Sequence, residues 1–280
     1  MGVRVWAQSL NDNELHPLHV FRFPGGEWHI DVDKSNLDGT TKYRWIAEVR
    51  GASAEDLVVA NLMADTARQF LEERFLLIPY LPAARADRGV PSGLGVYGDI
   101  INAGSWDQVI SLDVHNPAAA YGEVSGLLSL SPTPLLAATV EHQDAFTGVI
   151  APDAGAEQRA QDVASTLGVE LVVADKKRDF ATGKILGITC PPVDPRGNYL
   201  VVDDICDGGG TFMGLADATG LDRDRLSLWV THGIFSGASS QLWEKFKAIY
   251  TTDSHPGSGQ LGKYTVKTPV WPYMIRRIVK

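Results

Sequence analysis

The chain has 280 residues, 44% of them hydrophobic and 21% charged, enough for one large or two medium domains around a substantial core. Its formal net charge of −9 argues against a sequence-independent nucleic-acid binder, which needs a basic surface, although an acidic protein can still carry a basic pocket for a small anion. Cys190 and Cys206 form neither a disulfide framework nor a metal-ligand pattern; the opening MGVRVWAQSLNDNELH lacks a signal-peptide apolar block, and no run reaches transmembrane length, so a cytoplasmic protein without a membrane partner is expected.

Short apolar runs alternate with helical patterns along the chain. The first strand is expected at Tyr43–Ala47. The following stretch, SAEDLVVANLMADTARQFLEE, predicts a helix. Ser53 can cap it, Glu55 and Asp56 lie in its first turn, and Val59, Met63, Ala67 and Phe70 recur at helical spacing. Strands are then expected at Phe75–Leu81, Gln108–Leu112 and Gly148–Ala151, and a helix at Glu157–Leu167. Strands at Val169–Ala174 and Tyr199–Val202, a helix at Thr211–Thr219, and strands at Leu226–Val230 and Ala248–Thr251 complete the series. Several strands are rich in Val, Ile and Leu without alternation, as expected when both faces are covered. The pattern predicts an α/β chain with mainly parallel sheets. A boundary near Ser131, in LSLSPTPLL, divides it into domains 1–131 and 132–280, each with its own strand–helix series.

The stretch NYLVVDDICDGGGTFM carries the strongest chemical signal. In an open α/β sheet, ligands bind beyond the carboxyl ends of strands, and Asp203 and Asp204 are expected there. Gly208, Gly209 and Gly210 allow close backbone approach, and Thr211 opens a helix whose amino end favours an anion. The carboxylates suit vicinal hydroxyls or a hydrated Mg²⁺ instead. A sugar phosphate meets both requirements in one molecule. A turn with solvated acids is the alternative reading.

VVDDICDGGGT resembles the phosphoribosyl-diphosphate loop of type I phosphoribosyltransferases and ribose-phosphate diphosphokinases. Four further stretches resemble the diphosphokinases: PYLPAARADR (79–88), SLDVH (111–115), APDAGAEQRA with ADKKR (151–160 and 174–178), and THGIFSG (231–237). FPGGEWHI (23–30) is a weaker match to an F-x-DGE segment. The resemblance implies two phosphoribosyltransferase-type, Rossmann-like domains. It also implies Mg²⁺-dependent transfer of the β,γ-diphosphoryl group of ATP to the anomeric hydroxyl of ribose 5-phosphate, releasing AMP. Carried over residue by residue, it gives Asp113 and His115 to the Mg²⁺ of ATP, and Asp153 to a second Mg²⁺ and the ribose hydroxyls. Lys176 and Arg178, leading into a loop expected to be mobile, would stabilise charge in the transition state. Asp203, Asp204, Asp207, Gly208, Gly209, Gly210 and Thr211 would hold the ribose and its 5-phosphate. Phe23, Glu27, Arg85, Asp87 and Arg88 would serve ATP, Phe23 and Glu27 from a neighbouring copy, so a homo-oligomer (dimer or hexamer) is expected.

The chain departs from the family pattern at several points. The F-x-DGE aspartate is missing in Phe23-Pro24-Gly25-Gly26-Glu27, and an amide is lost in Arg85-Ala86-Asp87. GVPSGLGVYGD follows Arg88 in place of a basic, Ser/Arg-rich segment tied to phosphate and ADP regulation, and DKSNLDGTTKYR replaces an ENVRG-like segment. Gly208 stands where the family loop usually carries a hydroxyl residue. That loss opens space for a larger 5-substituent, so a 5-substituted ribose such as ADP-ribose, in NAD or nucleotide salvage, is an alternative acceptor. A silent regulatory homologue and a nucleobase phosphoribosyltransferase are the remaining readings. Lys176, Arg178, Asp113 and His115 argue against the first. SLDVH, THGIFSG and a second α/β half argue against the second.

Overall fold

The computed structural model describes residues 2–141, 145–178 and 185–278. The chain forms two compact units, Met1–Leu130 with Trp271–Lys280, and Ser131–Val270.

The first unit begins with β1 (Val3–Ser9), β2 (Leu15–Pro17) and a hairpin of β3 (His19–Arg22) and β4 (Trp28–Asp31). It continues through β5 (Tyr43–Val49), α1 (Ala54–Gln69), β6 (Arg74–Leu77), α2 (Gly93–Asn102), β7 (Gln108–Leu112), α3 (Pro117–Glu123) and β8 (Leu127–Leu130). Its six-stranded sheet runs β2-β1-β5-β6-β7-β8, parallel from β5 to β8 with β1 and β2 antiparallel at one edge. α1 starts where the sequence predicts, because Ser53 Oγ accepts the Asp56 N–H at 3.3 Å. Val59, Met63 and Ala67 are buried, but Phe70 is 52% exposed. Phe70 is the C-cap residue and lies outside the helical stripe; its ring stacks on Trp45 at 5.9 Å.

The second unit comprises α4 (Thr133–Val140), β9 (Gly148–Ala151), α5 (Glu157–Leu167), β10 (Glu170–Val173), β11 (Asp175–Arg178), β12 (Ile185–Thr189) and β13 (Tyr199–Cys206). α6 (Gly210–Thr219), β14 (Leu226–Gly233), α7 (Leu242–Lys245), β15 (Ala248–Thr252) and β16 (Thr265–Thr268) follow. The sheet order is β10-β9-β13-β14-β15-β16, all parallel, while β11 and β12 form a separate antiparallel ribbon. Alternate residues of single strands feed different cores. Ile150, Val201, Leu228 and Ile249 pack in one cluster; Val149, Ala151, Leu200, Val202, Trp229 and Tyr250 pack in another. Side chains alternate across a strand, so an uninterrupted apolar run requires cover on both faces. The last helix, α8 (Trp271–Ile275), belongs to the first unit, where Trp271 meets Trp6 at 4.7 Å between ring centroids.

One strand boundary alters the placement of the acid pair. The sequence predicts that β13 ends at Val202, whereas it runs to Cys206 and so contains Asp203 and Asp204. The cause is the partner strand: β14 continues to Gly233 and offers ladder positions opposite Asp203, Ile205 and Cys206. Pairing across the sheet overrides the low strand propensity of aspartate.

Candidate active site

β13 delivers Asp203 and Asp204 to its carboxyl end. Asp204 is 3% exposed. Each carboxylate accepts the next residue's amide: the Asp204 N–H donates to Asp203 Oδ1 (2.9 Å), and the Ile205 N–H to Asp204 Oδ1 (2.8 Å). Arg159, from α5, ion-pairs with both, Nη1 lying 3.6 Å from Asp203 Oδ1 and Nη2 3.5 Å from Asp204 Oδ2. Burial pushes the Asp203 carboxyl well above the usual carboxylate range; the neighbouring Asp204 charge adds to this, and Arg159 opposes it.

Beyond the strand, Asp207 is exposed and held by Ser236, whose Oγ donates to Asp207 Oδ1 at 2.5 Å and whose N–H donates to Asp207 O at 3.1 Å. Gly209 adopts φ 81°, ψ −4° as the N-cap of α6. That conformation favours glycine, and a Cβ there would lie 3.1 Å from Leu242 Cγ. No side chain caps this helix end, so its amides face the loop, as an anion site requires. Gly208 lies outside the left-handed region, and a Cβ there would meet no atom within 4 Å.

Asp153 follows β9 and opens the turn into α5, accepting the Gly155 N–H at 2.9 Å. Its carboxylate ion-pairs with Lys176 Nζ, and the Lys176 side chain is 8% exposed. Lys176 stands on β11, opposite Ile188 of β12. The loop expected to follow Arg178, residues 178–184, falls almost wholly outside the described residues, as does the side chain of Arg178.

In the first unit, adjacent parallel strands β6 and β7 each lead into a loop carrying expected site residues. Arg85 and Arg88 are exposed on the first, and Arg88 ion-pairs with Asp87 at 4.0 Å. Asp113, on the second, is 8% exposed and held at φ 46°, with its N–H donating to Leu130 O at 2.9 Å. His115 is exposed. Asn116 joins the two loops: its Nδ2 donates to Asp87 Oδ2 at 2.5 Å while its Oδ1 caps α3. Phe23 and Glu27 lie elsewhere, at the tip of the β3–β4 hairpin, where the Phe23 N–H donates to Glu27 O at 2.8 Å. Phe23 is 47% exposed and Glu27 is exposed. Among the described residues, no group of three or more His, Cys, Asp and Glu could hold a metal ion. No helix among them is long and apolar enough to cross a membrane.

Comparison with known proteins identifies the family and the fold. The chain is 32% identical over 273 residues to a ribose-phosphate pyrophosphokinase of Methanopyrus kandleri, covering 92% of this chain and 90% of the relative. The chain belongs to the ribose-phosphate pyrophosphokinase family. The homologue of Cereibacter sphaeroides is 26% identical over 287 residues, with 95% and 82% coverage. The crystal structure of phosphoribosylpyrophosphate synthetase from Mycobacterium smegmatis has the same fold, with a TM-score of 0.79 at 20% identity over 95% of this chain and 90% of that one. No family model matches. The expected two-domain phosphoribosyltransferase-type fold and the diphosphokinase-type enzyme class are those of the family.

Three side chains not named among the expected site residues contact those residues within their own units. Arg159 pairs with the acids of β13, Asn116 bridges two loops, and Ser236 holds Asp207. Arg159 had a local signal: an arginine in the first turn of a helix is an unusual charge for that end, and implies a nearby acid. Asn116 had none, and Ser236, within THGIFSG, had no sign of its partner; each partner lies 29 residues away.

Proposed function

We propose that the chain transfers the β,γ-diphosphoryl group of ATP to the anomeric hydroxyl of ribose 5-phosphate, giving phosphoribosyl diphosphate and AMP. The observation that carries this is the β13–α6 junction: an acid pair on a strand end leads through left-handed Gly209 to an uncapped helix start. The amides of 208–211 take the 5-phosphate, and Asp203 and Asp204 accept hydrogen bonds from the ring hydroxyls. Asp207, fixed by Ser236, bounds the same pocket. Such transfers need alignment and charge neutralisation rather than a covalent intermediate. Lys176 supplies positive charge to the migrating group, with Arg178 as its partner. Arg85 and Arg88 bind donor phosphates, for which a guanidinium fork is suited. Phe23 and Glu27 serve the donor from a second copy of the chain.

The acids present fit a magnesium ion that arrives with the triphosphate. Mg²⁺ keeps several waters and uses one or two carboxylates plus substrate phosphates, so a dense ligand cluster is not required. Asp113 with His115 would hold it, and Asp153 would meet a second Mg²⁺ and the ribose hydroxyls. When bound, it neutralises phosphate charge and draws electrons from the reacting phosphorus.

AMP release from ATP and Mg²⁺ with ribose 5-phosphate tests the proposal. Lys176→Ala should lower kcat by ~10²–10⁴-fold and change the acceptor KM far less. Absence of AMP release with every ribose acceptor would overturn the reading. A second acceptor deserves its own arm because Gly208 is not required by backbone or packing, and its bare Cα leaves open space in the loop. That favours a ribose with a larger 5-substituent, such as ADP-ribose. Turnover of ribose 5-phosphate alone would eliminate this second reading.

A further inference from the structure

Two carboxylates on consecutive residues of β13, one of them buried, would repel each other and hold a proton between them in the absence of a cation. A carboxyl that keeps its proton is a poorer acceptor for a sugar hydroxyl than a carboxylate. Arg159 is the cation provided. Its side chain is 13% exposed, and its two terminal nitrogens divide between the two acids, at 3.6 Å and 3.5 Å. The guanidinium is charged at every working pH. A single ammonium could not reach both acids in the same way. The helix that carries Arg159 is placed by Asp153, whose backbone carbonyl accepts the Ala156 N–H at 3.1 Å. The charged groups acting on Asp203 are Asp204 from its own strand and Arg159 from α5. On β14, opposite Ile205, His232 is directed to Ser254, with Nδ1 and Oγ 2.8 Å apart.

We infer that Arg159 is a positioning residue for the acceptor: it keeps the Asp203–Asp204 pair ionised and fixes both carboxylates to receive the ring hydroxyls. The inference rests on the acceptor reading above, but its charge component can be measured separately. Arg159→Met removes the charge and keeps most of the stem; Arg159→Lys keeps the charge and loses the fork. With ribose 5-phosphate varied, Arg159→Met should raise the acceptor KM by ~10-fold or more, and the acid limb of kcat/KM should move to higher pH. Arg159→Lys should leave the acid limb near its wild-type position while KM still rises several-fold. Independently of turnover, the infrared carbonyl stretch of protonated carboxyl groups should persist to higher pH in Arg159→Met than in the wild type. An unchanged infrared titration together with an unchanged acid limb would overturn the inference. An infrared shift without AMP release from any acceptor would leave the charge role standing and remove the acceptor reading. If Arg159→Met fails to fold, Arg159→Lys decides: a KM equal to that of wild type overturns the assignment.

Discussion

Asp203 is held in a state that the isolated residue would avoid. Burial and the adjacent Asp204 raise its affinity for a proton, so the folded chain binds that proton more tightly than the unfolded chain. A carboxyl raised in this way contributes stability below its unfolded value of about 3.9, and the contribution is lost as pH rises through the folded value. Asp203→Asn removes the ionisation but keeps an oxygen for the Asp204 amide. The variant should therefore be more stable than wild type at pH ~8, with the gain shrinking toward pH ~4, as followed by thermal unfolding across that range. The acceptor KM should rise in the same variant. A gain independent of pH would show that the carboxyl is not strained. The acid pair illustrates how far local reading goes. Asp203, Asp204 and Asp207 stand out in the sequence as candidates because the acids follow an apolar run and lead into a glycine run. Their extension into β13, and the guanidinium that holds two of them, were not recognisable, because both depend on elements distant in the chain.

In the proposed function, the element that takes the anion is the start of α6. Its amides are available because Gly209, at φ 81°, turns the chain without a side chain to cap them. Gly209→Ala places a Cβ 3.1 Å from Leu242 Cγ in a backbone region that alanine disfavours, at a cost of about 1 kcal/mol or more. Thermal unfolding should show a Tm lower by several degrees, and the KM for ribose 5-phosphate should rise ~10-fold as the loop shifts. Gly208→Ala meets no atom within 4 Å, and its Tm should stay within about 1 °C of wild type. Equal losses of stability in the two variants would contradict the distinction drawn between the glycines. The same scale explains the ribbon that carries Lys176. The sequence KKR alone reads as a basic turn, yet β11 pairs with β12 and Lys176 ion-pairs with Asp153. Strand pairing of a polar segment has little periodic signal, so the ribbon is not legible in the sequence.

At the scale of the molecule, each unit is built on its own sheet, and the first also recruits the end of the chain. Trp271 meets Trp6 at 4.7 Å, and the Arg4 guanidinium lies 5.2 Å from the Trp6 ring and 5.5 Å from the Trp271 ring. Such contacts contribute ~0.5–1.5 kcal/mol each beyond area burial. Trp271→Ala should therefore speed amide hydrogen exchange in β1 while leaving β13 close to wild type. Equal acceleration in both strands would mean that the units open together. The amino-acid sequence by itself determined the α/β class and the parallel strands covered on both faces, and it marked the candidate site loops, because apolar runs, glycine turns and strand-end acids act over a few neighbouring residues. Only the tertiary structure decided the ends of β13 and β14, the Arg159 clamp, the Asn116 bridge and the return of residues 271–280 to the first unit. Those features depend on partners tens to hundreds of residues away, whose identity is set by the folded sheets and not by any local pattern.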